Sequence, residues 1–111
     1  MKLLTYEQAR QLAEEEWGRG GTDSHPTNRP GAYYFSCSAH GGFVIDTRTL
    51  TDTEFLCISK YVQPHFRPPF PRVFLLEEDC NWCLAPYFAG INLIDKPFRD
   101  ELIKSTFDRL K

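Results

Sequence analysis

Two short stretches of this chain carry side chains suited to acid–base or metal chemistry. The first is Ser36-Cys37-Ser38-Ala39-His40-Gly41-Gly42. At a hairpin tip, His40 would act as acid, base or contact residue, and Gly41 and Gly42 would let another group approach the backbone closely. The same residues also suit an ordinary turn, since glycine supplies positive φ and histidine tolerates the left-handed region. Period two sets Ser36, Ser38 and His40 on one face with successive residues roughly 6.6 Å apart, a gap that a Ser–His hydrogen bond can span but does not favour. The second stretch is Glu77-Glu78-Asp79-Cys80-Asn81-Trp82-Cys83. Three acids at the start of a helix are favoured by the helix dipole alone. A catalytic or metal role for Glu77, Glu78 or Asp79 needs a partner, and His40 is the polar one the sequence offers. Carboxylates with one histidine suit a hard divalent ion.

The cysteines allow a different chemistry. Cys80-x-x-Cys83 has zinc-ligand spacing, and Cys37-x-x-His40 would complete a Cys3His set. Against this, helical spacing puts Cys80 and Cys83 on one stripe with Leu84 and Tyr87, where burial as small hydrophobes explains them. Strand alternation turns Cys37 and His40 to opposite faces. Cys37 and Cys57 fall on apolar faces with no base placed beside them, so buried, inert thiols are expected. No metal or cofactor is required by this pattern. Among the remaining histidines, His25 and His65 are loop residues without assembled partners.

A third feature is aromatic. Tyr61, His65, Phe66, Phe70 and Phe74 crowd into a proline-laced segment that also holds Arg67 and Arg72. Such a stiff loop serves either as a lid over the core or as a protein-binding patch, since aromatics and arginine are enriched at interface centres.

The elements that must position these groups follow from periodicity. Thr5 with Gln8 forms a capping box, and Tyr6, Ala9, Leu12, Ala13 and Trp17 make one helical stripe ending at Gly18. The polar stretch from Arg19 to Gly31 reads as loop. Residues 32–38 and 43–45 read as a β-hairpin turning at 39–42, with Tyr33, Phe35 and Cys37 on the apolar side. Thr51 and Glu54 form a second capping box for a short helix from about Asp52 to Tyr61. Arg72 to Leu76 is a short strand. A third helix is expected from Glu77 or Glu78, kinked or ended at Pro86. A last helix is expected to be capped by Asp95 with Pro97 in its first turn, turning Phe98, Leu102 and Leu110 inward with Ile103 or Phe107 alongside. The fold class is α+β, a small antiparallel sheet of a hairpin plus one strand packed by about four helices.

The chain has 111 residues, enough for one domain over 1–111. Its net charge of −2 argues against a protein that grips nucleic acid through a broad basic face. No apolar run approaches a membrane span, and the start lacks a secretory pattern, so a cytoplasmic protein is expected.

Taken together, Ser36-x-Ser38-x-His40-Gly41-Gly42 and Glu77-Glu78-Asp79-Cys80-x-Trp82 resemble the signature of an uncharacterised domain family of bacterial, plasmid and phage proteins. The similarity runs from about Tyr33 to Phe88. It implies that His40, the two glycines and the acids form one unit, and it brings no activity with it. In that family the position of Cys83 is usually not cysteine, which weighs further against zinc on thiols. The expectation is a non-catalytic interaction protein of a mobile element, a counter-defence inhibitor of the anti-CRISPR or anti-restriction kind, whose partner is a host nucleoprotein or defence complex. Its binding residues would be Ser38, His40, Gly41, Gly42, Tyr61, His65, Phe66, Arg67, Phe70, Arg72, Glu77 and Glu78. The alternatives are a small enzyme or metal-dependent hydrolase centred on His40 and the acids of 77–79, and a structural zinc domain.

Overall fold

Apolar side chains occupy both faces of the central strands, and this dictates a sheet covered on each side. A computed structural model describes residues 2–18, 23–36 and 40–110. Its elements, in chain order, are α1 (Tyr6–Trp17), β1 (Asp23–His25), β2 (Ala32–Ser36), β3 (Gly41–Asp46), α2 (Asp52–Ser59), β4 (Val73–Glu77), α3 (Leu84–Ala89) and α4 (Asp100–Leu110). The strands form one antiparallel sheet in the order β1-β2-β3-β4. This is a small α+β fold.

Both capping boxes form as the sequence requires, Thr5 with Gln8 and Thr51 with Glu54. α1 lays Ala9, Leu12, Ala13 and Trp17 against Phe35, Val44 and Val73 on one sheet face. On the other face, Tyr34, Phe43, Ile45, Phe74 and Leu76 pack with Ile58, Trp82, Leu84, Ile91, Ile103 and Phe107 from the helical side. β3 is consequently buried along its whole length. The second face of β2 is therefore apolar rather than polar: Tyr34 is only 7% exposed and meets Phe43 edge-on.

Four local expectations are corrected. The polar stretch before Gly31 contains β1, whose Asp23, Ser24 and His25 pair with Ser36, Phe35 and Tyr34. No helix begins at Glu77 or Glu78. β4 runs through Glu77, whose carbonyl then collects the amides of Cys80, Asn81 and Trp82, while the Asn81 side chain accepts the Glu77 amide at 2.8 Å. This knot of hydrogen bonds closes a turn, so the helix starts only at Leu84, with Pro86 inside its first turn. The presumed stripe breaks up accordingly: Cys83 and Leu84 are buried, whereas Cys80 and Tyr87 are exposed. The last helix begins at Asp100, because the Asn92 side chain accepts the Leu93 and Phe98 amides and holds that segment as a turn. Ile103 and Phe107 face inward, and Leu102, at 45% exposure, does not. Finally, α2 stops at Ser59, with Tyr61 in the following turn.

One buried charge ties the chain start to the sheet. The fully buried Asp46 carboxylate accepts the Leu4 amide at 2.8 Å and both the backbone and guanidinium N–H groups of Arg48. Burial pushes the Asp46 carboxyl up, but the Arg48 and Leu4 hydrogen bonds outweigh it and hold the group below its ordinary value. A carboxyl depressed in the folded state contributes stability above about pH 4, lost as pH falls through the folded value. Asp46→Asn is expected to cost ~3 kcal/mol at neutral pH. It should also flatten the acid limb of denaturation midpoint against pH, and equal acid sensitivity in both proteins would contradict this.

Candidate functional site

The His40 and Glu77–Asp79 stretches meet because β3 and β4 pair. Register sets Gly42 opposite Glu77, and the Glu78 amide donates to the Gly41 carbonyl at 2.8 Å, one rung beyond the strand. This pairing tolerates no side chain on either glycine. A Cβ at Gly41 would overlap the Phe35 carbonyl oxygen, and one at Gly42 would overlap that of Leu76. Gly42 also sits at φ 151°, where L side chains are strained.

His40 enters this corner immediately before the glycines. Its Nδ1 stands 3.4 Å from Glu77 Oε1, and donor atoms of His40, Glu77 and Asp79 all lie within 4.8 Å of one another. Both His40 and Asp79 are exposed and Glu77 is half-buried. Among the described residues this is the group of His, Cys, Asp and Glu whose geometry suits a metal ion.

Beside the corner opens a cleft of about 650 Å³ between the 78–82 turn and α4. Tyr34, Trp82 and Phe98 form its apolar wall, with the Trp82 and Phe98 rings 4.4 Å apart. Glu78 and Asp79 stand on one rim and Arg109 lines it from α4. The Tyr34 phenol is pushed up to about 12, first by burial and then by the negative charge of Glu78 and Asp79. Tyr34 is thus a neutral hydrogen-bond donor across the usable pH range. Trp82, Glu78 and Asp79 belong to the second sequence stretch. Tyr34, Phe98 and Arg109 do not, and no local pattern marks them as wall residues.

The other candidates fall elsewhere. Cys37 and Ser38 lie outside the described residues. Cys83 is buried, and burial pushes its thiol up, away from the thiolate that zinc requires. Cys57 is half-buried. In the proline-rich loop, His65 pairs through its backbone with Val73, and Phe70 packs on the α1 side of the sheet. Tyr61 stacks on Phe88 and meets Phe107 edge-on. Arg67 ion-pairs with Glu15, leaving Phe66, 61% exposed beneath the Arg72 guanidinium, as the loop's outward aromatic. His25, which the sequence left without a partner, lies 3.2 Å from the Ser36 hydroxyl and against the Tyr34 ring.

Comparison with protein-family models, curated proteins and solved structures gave no match.

The glycine constraint and the exposed histidine predict opposite outcomes. Gly42→Ala is expected to lose well over ~1 kcal/mol, because both its φ and the Leu76 carbonyl oppose a methyl group. His40→Ala is expected to change stability by no more than ~0.5 kcal/mol. Urea denaturation of the two variants checks both, and a well-tolerated Gly42→Ala would contradict the strand packing described.

Proposed function

We propose that this chain is a non-catalytic interaction protein that captures a partner protein in the cleft beside the acidic turn. The observation that carries this reading is the joining of an aromatic wall, Tyr34, Trp82 and Phe98, to the carboxylates of Glu78 and Asp79 in one open cleft. That chemistry suits an arginine or lysine side chain of the partner. Its charge would pair with the rim acids and its stem or guanidinium would lie on the rings. Aromatic pockets that exclude water around a charged anchor are the usual energetic centres of protein interfaces. Contact through this cleft replaces the proline-rich loop as the main surface, since Phe70 and Tyr61 spend much of their area on internal packing.

The resemblance of the two motifs to proteins of mobile elements gives the partner a narrower form, a host nucleoprotein or defence complex inhibited by occupation of a basic site. A second reading, a small metal-dependent hydrolase, is favoured by the convergence of His40, Glu77 and Asp79 within 4.8 Å.

Affinity capture from bacterial lysate tests the docking surface. The wild type and Phe66→Ala are expected to retain the same stoichiometric partner. Glu78→Lys is expected to weaken its capture by at least about tenfold, the scale of truncating a buried charge pair at an interface. Capture unaffected by Glu78→Lys but lost in Phe66→Ala would move the contact to the loop, and no partner at all would count against the reading.

A further inference from the structure

We propose that His40, Glu77 and Asp79 form a binding site for one divalent cation of the zinc class. The donor set is mixed, one imidazole and two carboxylates, which suits a borderline ion better than calcium or magnesium, whose sites are built from oxygen alone. The three side chains come from two segments, and their donor atoms already lie within 4.8 Å of one another. The His40 Nδ1 to Glu77 Oε1 separation of 3.4 Å is long for a hydrogen bond. It matches the edge of a tetrahedron around zinc, about 3.4 Å for bonds of roughly 2.0–2.2 Å. Asp79 and His40 are exposed, so ordinary rotamer changes suffice to close the two edges that involve Asp79.

Charge and backbone both fit. Two carboxylates and a neutral imidazole balance the two charges of the ion, and three protein ligands leave a coordination position open to solvent. The backbone is pinned at Glu77 and at Gly41 and Glu78, the neighbours of His40 and Asp79, before any ion arrives. Glu77 is locked by the Asn81 side chain and by three amides on its carbonyl, and Gly41 is bonded to Glu78. Ordering these segments has therefore been accomplished by folding, which leaves more of the ligand energy for binding. Thiols are not needed: Cys83 is in the core, and Cys80 serves as the control. The site shares only Asp79 with the docking cleft, and the ion is assayed on the protein alone, so the two readings fail separately.

Calorimetric titration of the chelator-stripped protein with Zn2+ tests the site. One ion per chain is expected to bind, with affinity lowered at least about tenfold in His40→Ala and in Glu77→Gln, and retained in Cys80→Ser. Circular dichroism confirms that each variant is folded, and the pair of ligand variants covers failure of either one. No saturable binding, or binding that survives both ligand variants, overturns the proposal. So does binding that disappears in Cys80→Ser.

Discussion

Two glycines set the geometry on which the rest of this molecule depends. At Gly41 and Gly42, β3 lies so close to the Phe35 carbonyl on one side and the Leu76 carbonyl on the other that no Cβ fits. The close approach lets β3 carry both its neighbours, and those strands bring the two chemical stretches together. His40 precedes the glycines, Glu77 lies opposite Gly42, and Glu78 bonds to Gly41. The corner is thus a product of strand pairing, a stiffer support than loop contacts. The same pairing buries β3 completely, so the sheet must be covered on both faces, by α1 on one and by α2, α3 and α4 on the other.

Polar groups inside and at the edges of this core are satisfied by specific partners. Asp46 is fully buried and is held by Arg48 and the Leu4 amide. Arg29 pairs with both oxygens of Glu54 and also donates to the Thr49 and Ala89 carbonyls, fastening the 26–31 loop to α2 and α3. No buried side-chain nitrogen or oxygen among the described residues lacks a hydrogen bond. Against that background, the half-exposed Glu77 and the exposed His40 and Asp79 are distinctive because their donors converge at 3.4–4.8 Å without closing on one another.

Much of this was legible in the residues wherever local chemistry decides the outcome. The capping boxes at Thr5 and Thr51 mark α1 and α2 because side chain and backbone satisfy each other within four residues. The alternation from 32, the Gly41-Gly42 punctuation and the apolar run at 43–45 mark the hairpin strands. Local preference misleads where tertiary pairing outweighs it. β1 has only Asp23, Ser24 and His25, all poor strand formers, and exists because β2 offers an edge. The acids at 77–79 look like a helix start, yet the ladder to β3 and the Asn81 clasp hold them in strand and turn. The resemblance of the two motifs implies that His40 and the acids form one unit, and the β3–β4 pairing sets His40 3.4 Å from Glu77. The cleft was not legible in the residues, because Phe98 and Arg109 reach it from a segment that shares no pattern with either motif.

Strand pairing at the two glycines holds His40 against Glu77. Nuclear magnetic resonance of the labelled protein tests it directly, through nuclear Overhauser contacts of the His40 ring and hydrogen exchange of the Glu78 amide. Contacts are expected between the His40 ring and the Glu77 side chain, together with a Glu78 amide protected by its bond to Gly41. A His40 ring with no Glu77 contact, or a Glu78 amide exchanging as freely as in an unfolded chain, would contradict it.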